Sequence, residues 1–413
     1  MSPVTTAPAH LTDGDAELRA QYLEEVLGLL YPAPCTLDEK QRADAGPVAG
    51  YLVVPDARRP RLLVPTRSRR VAAAAVRHYA EPQSRPARLK RDAVVLALRS
   101  GASRVLLRDR IRVTGPPGSG IDGYLRRQLD TDLALSVHIG PARANRKPVL
   151  QLISPAGETT GFAKLGVGPL TRRLVRAETA ALTALSHVDL RHLMVPAVRH
   201  AGQWHGHQVL VQSALPVWEP RQPLRPDRLT DAMREIAACC GISRGWLATS
   251  PYWAEMRDRL AAVADRPEGA VLAGAARSLA ARAGDTDLRY GAWHGDWAPW
   301  NMASLGDRLL VWDWERFATG VPLGFDALHH DLQQRIMSDG DAAAAVEATV
   351  RQAPLLLRPF DTPPGTAELT ALLYLIDLAA RYLADRQAEA GARLGVLGTW
   401  LLPVLIRRAE GYQ

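Results

Sequence analysis

The chain has 413 residues, 47% hydrophobic and 23% charged, with a net charge of +8. That balance belongs to a soluble globular protein with two or three cored domains and excludes a disordered or fibrous chain. Three cysteines, Cys35 and the adjacent Cys239 and Cys240, make no disulfide framework, Met1 to His10 lacks the basic start and apolar run of a signal peptide, and the apolar stretches at 371–376 and 396–406 are too short for a bilayer, so a cytoplasmic protein is expected.

From the N-terminus, Asp13 to Leu30 has the spacing of an amphipathic helix and Pro32 to Pro47 reads as a loop. A strand pair (Tyr51 to Val54, Arg61 to Val64), helices over Ser68 to Tyr79 and Pro86 to Arg99, and a strand over Arg104 to Thr114 follow. These suffice for a small α+β domain over residues 1–127. Residues 51–127 hold 18 Lys or Arg against five Asp or Glu, a net of +13, which leaves −5 (8 − 13) for the rest. One reading of this basic segment is a site for an anionic partner, such as an acidic peptide or a phosphorylated or nucleotide-linked glycan; the other is a solvated face of an Arg-rich chain. Few aromatics interleave the arginines and no nucleic-acid motif is present, which argues against nucleic acid. The run Gly115-Pro116-Pro117-Gly118-Ser119-Gly120 stands between a strand and the helix Ile121 to Leu129, as a P-loop would. Ile121 and Asp122 occupy the places where that motif needs Lys and Ser or Thr, so the run reads as a flexible turn.

The next segment, 128–217, has the pattern of a small antiparallel sheet. A loop over Ser136 to Lys147 joins its first two strands, and Pro148 to Ile153 is the second. The loop has one glycine and a proline, so backbone amides alone make a poor anion cradle; one reading has Arg143, Arg146 or Lys147 add side-chain charge, and the other is an ordinary hairpin turn with solvated charges. Gly161 to Leu165 ends the third strand and carries Lys164, one of only four lysines among the 51 basic residues (51 − 4 leaves 47 Arg). A compact ammonium standing against that bias points to a place where a planar guanidinium does not serve. Thr171 to Ser186 is an Arg- and Ala-rich helix bearing Glu178. Pro196 to His200 and His207 to Gln212 form a strand pair, and Ser213 to Trp218 a hinge. His200, His205 and His207 fall on that hairpin with no Cys or carboxylate close by, so a zinc site is not expected.

Residues 218–413 read as a helical lobe: Arg228 to Cys240, Tyr252 to Ala264, Val271 to Ala283, Ala327 to Met337, Ala342 to Gln352, Thr366 to Arg386 and Leu394 to Arg408. In their midst lies His294-Gly295-Asp296-Trp297-Ala298-Pro299-Trp300-Asn301, and twelve residues later Asp313-Trp314-Glu315. Met302 to Ser304 and Arg308 to Trp312 read as two strands around a Leu305-Gly306-Asp307 turn, which sets Asn301 nearly opposite Asp313. Phosphoryl transfer asks a protein to orient a hydroxyl and to hold Mg²⁺ against phosphate oxygens. Asp296 is placed for the first task, with His294 beside it, and Asn301 and Asp313 for the second. Five of the ten tryptophans lie between Trp293 and Trp314. Trp297 and Trp300 would stack on an acceptor ring or pack the loop, and Tyr252 with Trp253 would line an acceptor cleft.

The motif resembles that of the aminoglycoside phosphotransferase and choline kinase family, with its HGDxxxxN run and an apolar strand ending in a D-W-E-like triplet. Gly320-Val321-Pro322-Leu323-Gly324-Phe325-Asp326 resembles, with one residue more before the Asp, the family's Gly-x-Pro-x-x-Asp continuation, in which the last Asp is structural. Protein kinases carry Arg after the His and a long activation segment after the metal-binding Asp, whereas here Gly295 follows His294 and no such segment is visible. The resemblance spans roughly residues 130–410 and implies an α+β, bilobal protein-kinase-like fold with an added N-terminal domain. It implies ATP or GTP as donor, Mg²⁺ on Asn301 and Asp313, and Lys164 held by Glu178 at the nucleotide. It also implies a small-molecule hydroxyl acceptor, such as a sugar or aminocyclitol. The alternatives are a kinase of peptide Ser or Thr and a non-catalytic binding module that keeps the fold.

Overall fold

A computed structural model describes residues 13–38, 47–79, 84–102, 107, 109–140, 145–388 and 395–412. These fall into two compact units, the first drawn from Met1–Ala142, Arg146–Arg172 and Val198–Glu219 and the second from Arg143–Asn145, Arg173–Ala197 and Pro220–Gln413. No helix among the described residues is long and apolar enough to cross a membrane.

The first unit is built on one antiparallel sheet. Its strands are β1 (Thr36–Asp38), β2 (Pro47–Val54), β3 (Leu62–Pro65), β4 (Arg110–Thr114), β5 (Ala134–His138), β6 (Val149–Ile153), β7 (Thr159–Gly166), β9 (Val198–Trp204) and β10 (His207–Ser213), in the order β1-β4-β2-β3-β5-β6-β7-β10-β9. The boundary expected at 127/128 falls inside this sheet, because β3 pairs with β5 (Leu62 opposite His138, Leu63 opposite Val137). Alternate residues of these strands then face two cores, one on each side of the sheet. Tyr51, Val53 and Leu63 feed one core with Leu135, Val137, Leu150 and Val209, under the helices Asp13–Leu30 and Ile121–Leu129. Leu52, Leu62 and Val64 feed the opposite core with Ala134 and Ile153, under the helices Arg69–Arg77 and Arg85–Ser100. Ser68 starts the first of this second pair by accepting a hydrogen bond from Val71 N at 3.1 Å, as an N-cap residue does. The basic segment is thus part of a two-faced sheet, with Arg67 paired to Asp132 and Arg126 to the buried Asp122. That inward ion pair also accounts for Asp122 where a P-loop would need a cation.

Helix Pro169–Leu185 follows β7 and crosses from the first unit into the second after Arg172. The second unit is mainly helical: Pro226–Ala238, Pro251–Ala261, Pro267–Ala283, Phe325–Asp339, Ala342–Leu357, Pro364–Ala384 and Leu402–Gly411. Helix Pro364–Ala384 is buried nearly throughout, from Ala367 to Leu383, which suits its almost unbroken apolar sequence. Two small sheets complete the unit. One orders β11 (Ser243–Trp246), β12 (Asp287–Trp293) and β15 (Ala318–Pro322); the other orders β13 (Met302–Leu305), β14 (Arg308–Val311) and β8 (Leu193–Met194). The α+β class is that expected, as is the order in which a lysine on the third strand of β5 to β7 precedes a glutamate-bearing helix. Tyr252 and Trp253 lie in the core of this unit, not along a cleft as expected, because helix Pro251–Ala261 turns its first aromatic pair inward.

Candidate active site

The loop after β12 is held at many of its backbone polar groups, as a segment that must hold one shape requires. Asp326, near the start of helix Phe325–Asp339, accepts from His294 N at 2.7 Å and Gly295 N at 3.1 Å. Arg381, on helix Pro364–Ala384, donates to Gly295 O at 2.5 Å. Asp296 N donates to His294 Nδ1 at 3.1 Å, and Asp296 O accepts from Asn301 Nδ2 at 2.9 Å. Gly295 has φ +82, and a side chain there would meet Arg316 O at 2.3 Å, so the turn admits only glycine.

His294 is buried and its ring lies edge-on to Trp314 and Trp297. Because a backbone N–H donates into Nδ1, Nε2 carries the hydrogen that reaches Trp312 O at 3.1 Å. Burial lowers the pKa of His294 to about 4, so the ring is neutral and joins two stretches of backbone. Burial also lifts the Asp326 carboxyl to about 7, against the pull of its two N–H donors.

Asp296 is different. Burial works to raise its carboxyl, but the hydrogen bond from His329 and the positive charge of Arg381 outweigh that and bring it down to about 2. Oδ1 accepts from His329 Nε2 at 3.1 Å and Oδ2 from Asn301 Nδ2 at 2.9 Å, yet the side chain keeps 37% exposure. The result is an ionised, oriented carboxylate with an open side.

Strands β13 and β14 form the expected hairpin, Met302 opposite Val311, and Trp312 N donates to Asn301 O at 3.1 Å. Asn301 is therefore brought opposite the Trp312–Asp313 step. Both its Nδ2 bonds go to oxygens that only accept, which settles the amide orientation and leaves its Oδ1 as a hard oxygen donor. Asp313 sits in the left-handed region at φ 67, a conformation that non-glycine residues hold mainly at turns and functional sites. Among the described residues, no three His, Cys, Asp or Glu gather as a metal cage. An amide and a carboxylate oxygen nonetheless fit Mg²⁺, which takes few protein ligands and keeps water or phosphate oxygens for the rest. Glu315 of the same triplet accepts from Asn145 Nδ2 at 3.1 Å, both residues lying in the second unit.

The other expected residues are placed as follows. Lys164 lies on β7 between Val149 of β6 and Leu210 of β10 and is buried; Glu178 is buried on helix Pro169–Leu185 and belongs to the second unit. Lys147 is half-buried before β6, while Arg143 lies outside the described residues. The guanidinium of Arg146 is taken up by the ring of Tyr22, 3.7 Å from its centroid. Trp297 is fully buried, its Nε1 against Met302 Sδ at 3.3 Å, so it packs the loop and is closed to an acceptor; Trp300 is 44% exposed. His200 Nε2 bonds Tyr124 Oη at 2.8 Å in the hairpin of β9 and β10. His329, Tyr374 and Arg381 were missed in the sequence. His329 stands three residues after Asp326, on the same helix face, and Tyr374 and Arg381 are seven apart on another, so helical spacing was the one signal available.

No protein-family model and no curated protein matches the chain. Among solved structures it is similar to aminoglycoside phosphotransferase APH(4)-Ia in a ternary complex with ADP and hygromycin B, at 15% identity over 70% of this chain and 98% of that one, with a TM-score of 0.43. Spectinomycin phosphotransferase APH(9)-Ia in complex with ADP and spectinomycin is similar at 13% identity over 70% and 97%, with a TM-score of 0.41. The macrolide 2'-phosphotransferase MphH of Brachybacterium faecium is similar at 20% identity over 65% and 96%, with a TM-score of 0.37.

Proposed function

We propose that the protein is a phosphotransferase that moves the γ-phosphoryl group of ATP or GTP to a hydroxyl of a small molecule, a sugar, aminocyclitol or similar metabolite. The observation that carries this reading is the Asp296 carboxylate, ionised and open on one side while every neighbour is fixed, beside an Asn301 oxygen turned free by the same contacts. A carboxyl near 2 is too weak a base to remove a hydroxyl proton early. It orients the acceptor hydroxyl and takes the proton late, as the new O–P bond forms, which suits a loose transition state. Asn301 and Asp313 would hold Mg²⁺, which neutralises charge on the phosphate oxygens when bound. Lys164, buried on β7, is assigned to the nucleotide phosphates. Trp300, exposed on the turn that bears Asn301, is assigned to the acceptor.

The test is ADP release with Mg²⁺ and ATP or GTP across sugars, aminocyclitols, amino alcohols and Ser/Thr peptides. One class of small-molecule acceptor is expected to stimulate release. Asp296→Asn is expected to lower it about 10³-fold with nucleotide affinity kept, and Lys164→Ala to raise KM for the nucleotide. Full activity in Asp296→Asn, or stimulation by peptides alone, would overturn the reading.

A further inference from the structure

Behind Asp296 stand two side chains from separate helices. The ring of His329, on Phe325–Asp339, is 1% exposed; its Nε2 lies 3.1 Å from Asp296 Oδ1 and its Nδ1 2.9 Å from the hydroxyl of Tyr374, on Pro364–Ala384. An ionised carboxylate only accepts, so Nε2 carries the hydrogen. Burial holds His329 below its ordinary value despite the carboxylate, and burial raises the Tyr374 hydroxyl well above its own, so both are neutral. Nδ1 then accepts from Tyr374, and the three groups donate in one direction, from Tyr374 to His329 to Asp296.

We propose that His329, held by Tyr374, is a positioning residue for phosphoryl transfer: it fixes Asp296 in one rotamer, so that its unused lone pairs face the acceptor hydroxyl. This rests on the phosphotransferase reading of the same site. A carboxylate has about four lone-pair directions. His329 takes one and Asn301 another, and what remains lies on the exposed side. A neutral donor suits the task better than a cation, which would orient the carboxylate but also quench the charge the hydroxyl must feel. The ionisable groups around Asp296 are His294 on its own loop, Asp326 and His329 on Phe325–Asp339, and Tyr374 and Arg381 on Pro364–Ala384; Arg381 spends a hydrogen bond on Gly295 O. In the transfer step the acceptor oxygen bonds to the γ-phosphorus as the bond to the nucleoside diphosphate oxygen breaks. The hydroxyl proton passes to Asp296 and then to solvent, while His329 keeps its own hydrogen throughout.

The experiment compares His329→Leu, His329→Gln and Tyr374→Phe, using whichever acceptor stimulates ADP release. His329→Leu is expected to lower kcat about 100-fold with KM for the nucleotide unchanged. His329→Gln, whose amide reaches where Nε2 does, is expected to return kcat to within about fivefold, with Tyr374→Phe between the two. Leucine and glutamine variants impaired alike, or a leucine variant with unchanged kcat, would overturn the positioning role. A long-range ¹H–¹⁵N spectrum of the wild type reads the ring even where the leucine variant does not fold. An Nε2–H tautomer from about pH 6 to 8 supports the proposal, and an imidazolium or Nδ1–H tautomer refutes it. A wild type that releases no ADP with any acceptor removes the phosphotransferase reading and this role together, whereas an active wild type with equivalent variants removes this role alone.

Discussion

Replacing Gly295 with alanine disturbs the turn that aims Asp296 without altering any group that reacts. The new Cβ would stand 2.3 Å from Arg316 O and 2.8 Å from Arg316 Cβ, where ordinary contact begins at 3.4 Å, so backbone must move by 1.1 Å (3.4 − 2.3). The φ of +82 adds about 1–2 kcal/mol for any residue with a Cβ. Asp326 and Arg381 grip Gly295 on both sides, so the displacement passes into Asp296 or into the turn carrying Asp313. A misplacement of about 1 Å at a reacting group costs about 100-fold in rate. Gly295→Ala is therefore expected to lower kcat about 100-fold and the melting temperature by about 2–8 °C. Gly306→Ala is the control: its φ is +50, but nothing lies within 4 Å of the new Cβ, so the backbone penalty comes without the collision. It is expected to keep kcat within about twofold. Initial rates of ADP release and thermal unfolding of both variants decide the matter. Wild-type kcat in Gly295→Ala, or equal losses in both, would refute the argument that this turn aims Asp296.

Deleting residues 1–127 removes β1 to β4 and leaves β5 as a bare edge, with the core around Leu135 and Val137 losing Tyr51, Val53, Leu63, Ile121 and Leu125. An insoluble product is expected; a soluble fragment that elutes as a monomer would show that β5 to β10 fold alone. Asp326→Asn has a signature in pH. The folded carboxyl titrates at about 7 and the unfolded one at about 4, so between those values the folded chain keeps a proton that the unfolded chain has lost. Its contribution is complete below about pH 4 and drains away as pH rises towards 7. Asparagine does not titrate and has one acceptor oxygen for two N–H groups, so the variant should melt lower and its melting temperature should vary less with pH from about 4 to 7. Parallel melting curves for the two proteins across that range would contradict this.

The linear part of the site was legible because it is local. His294, Asp296, Asn301 and Asp313 lie within one loop and one hairpin, and glycine, proline and alternating apolar residues set that geometry over a few residues. The helices were legible for the same reason, their apolar spacing being a property of each segment alone. Other features depended on which distant segments meet. The pairing of β3 with β5 joins residues some 75 positions apart and turns an expected accessory domain into part of one sheet. Trp297 and Trp300, three residues apart and alike in sequence, part company because one points into the packed loop and the other out of it. His329 and Tyr374 reach Asp296 from two helices, and only the packing of those helices brings an imidazole to within 3.1 Å of the carboxylate. The sequence by itself determined the loop and hairpin that set Asp296, Asn301 and Asp313 close along the chain, since short-range turn chemistry is written in neighbouring residues. Tertiary structure alone decided which of them is ionised, aimed and open, because burial and hydrogen bonding between remote segments set the charge of a carboxyl and the direction it faces.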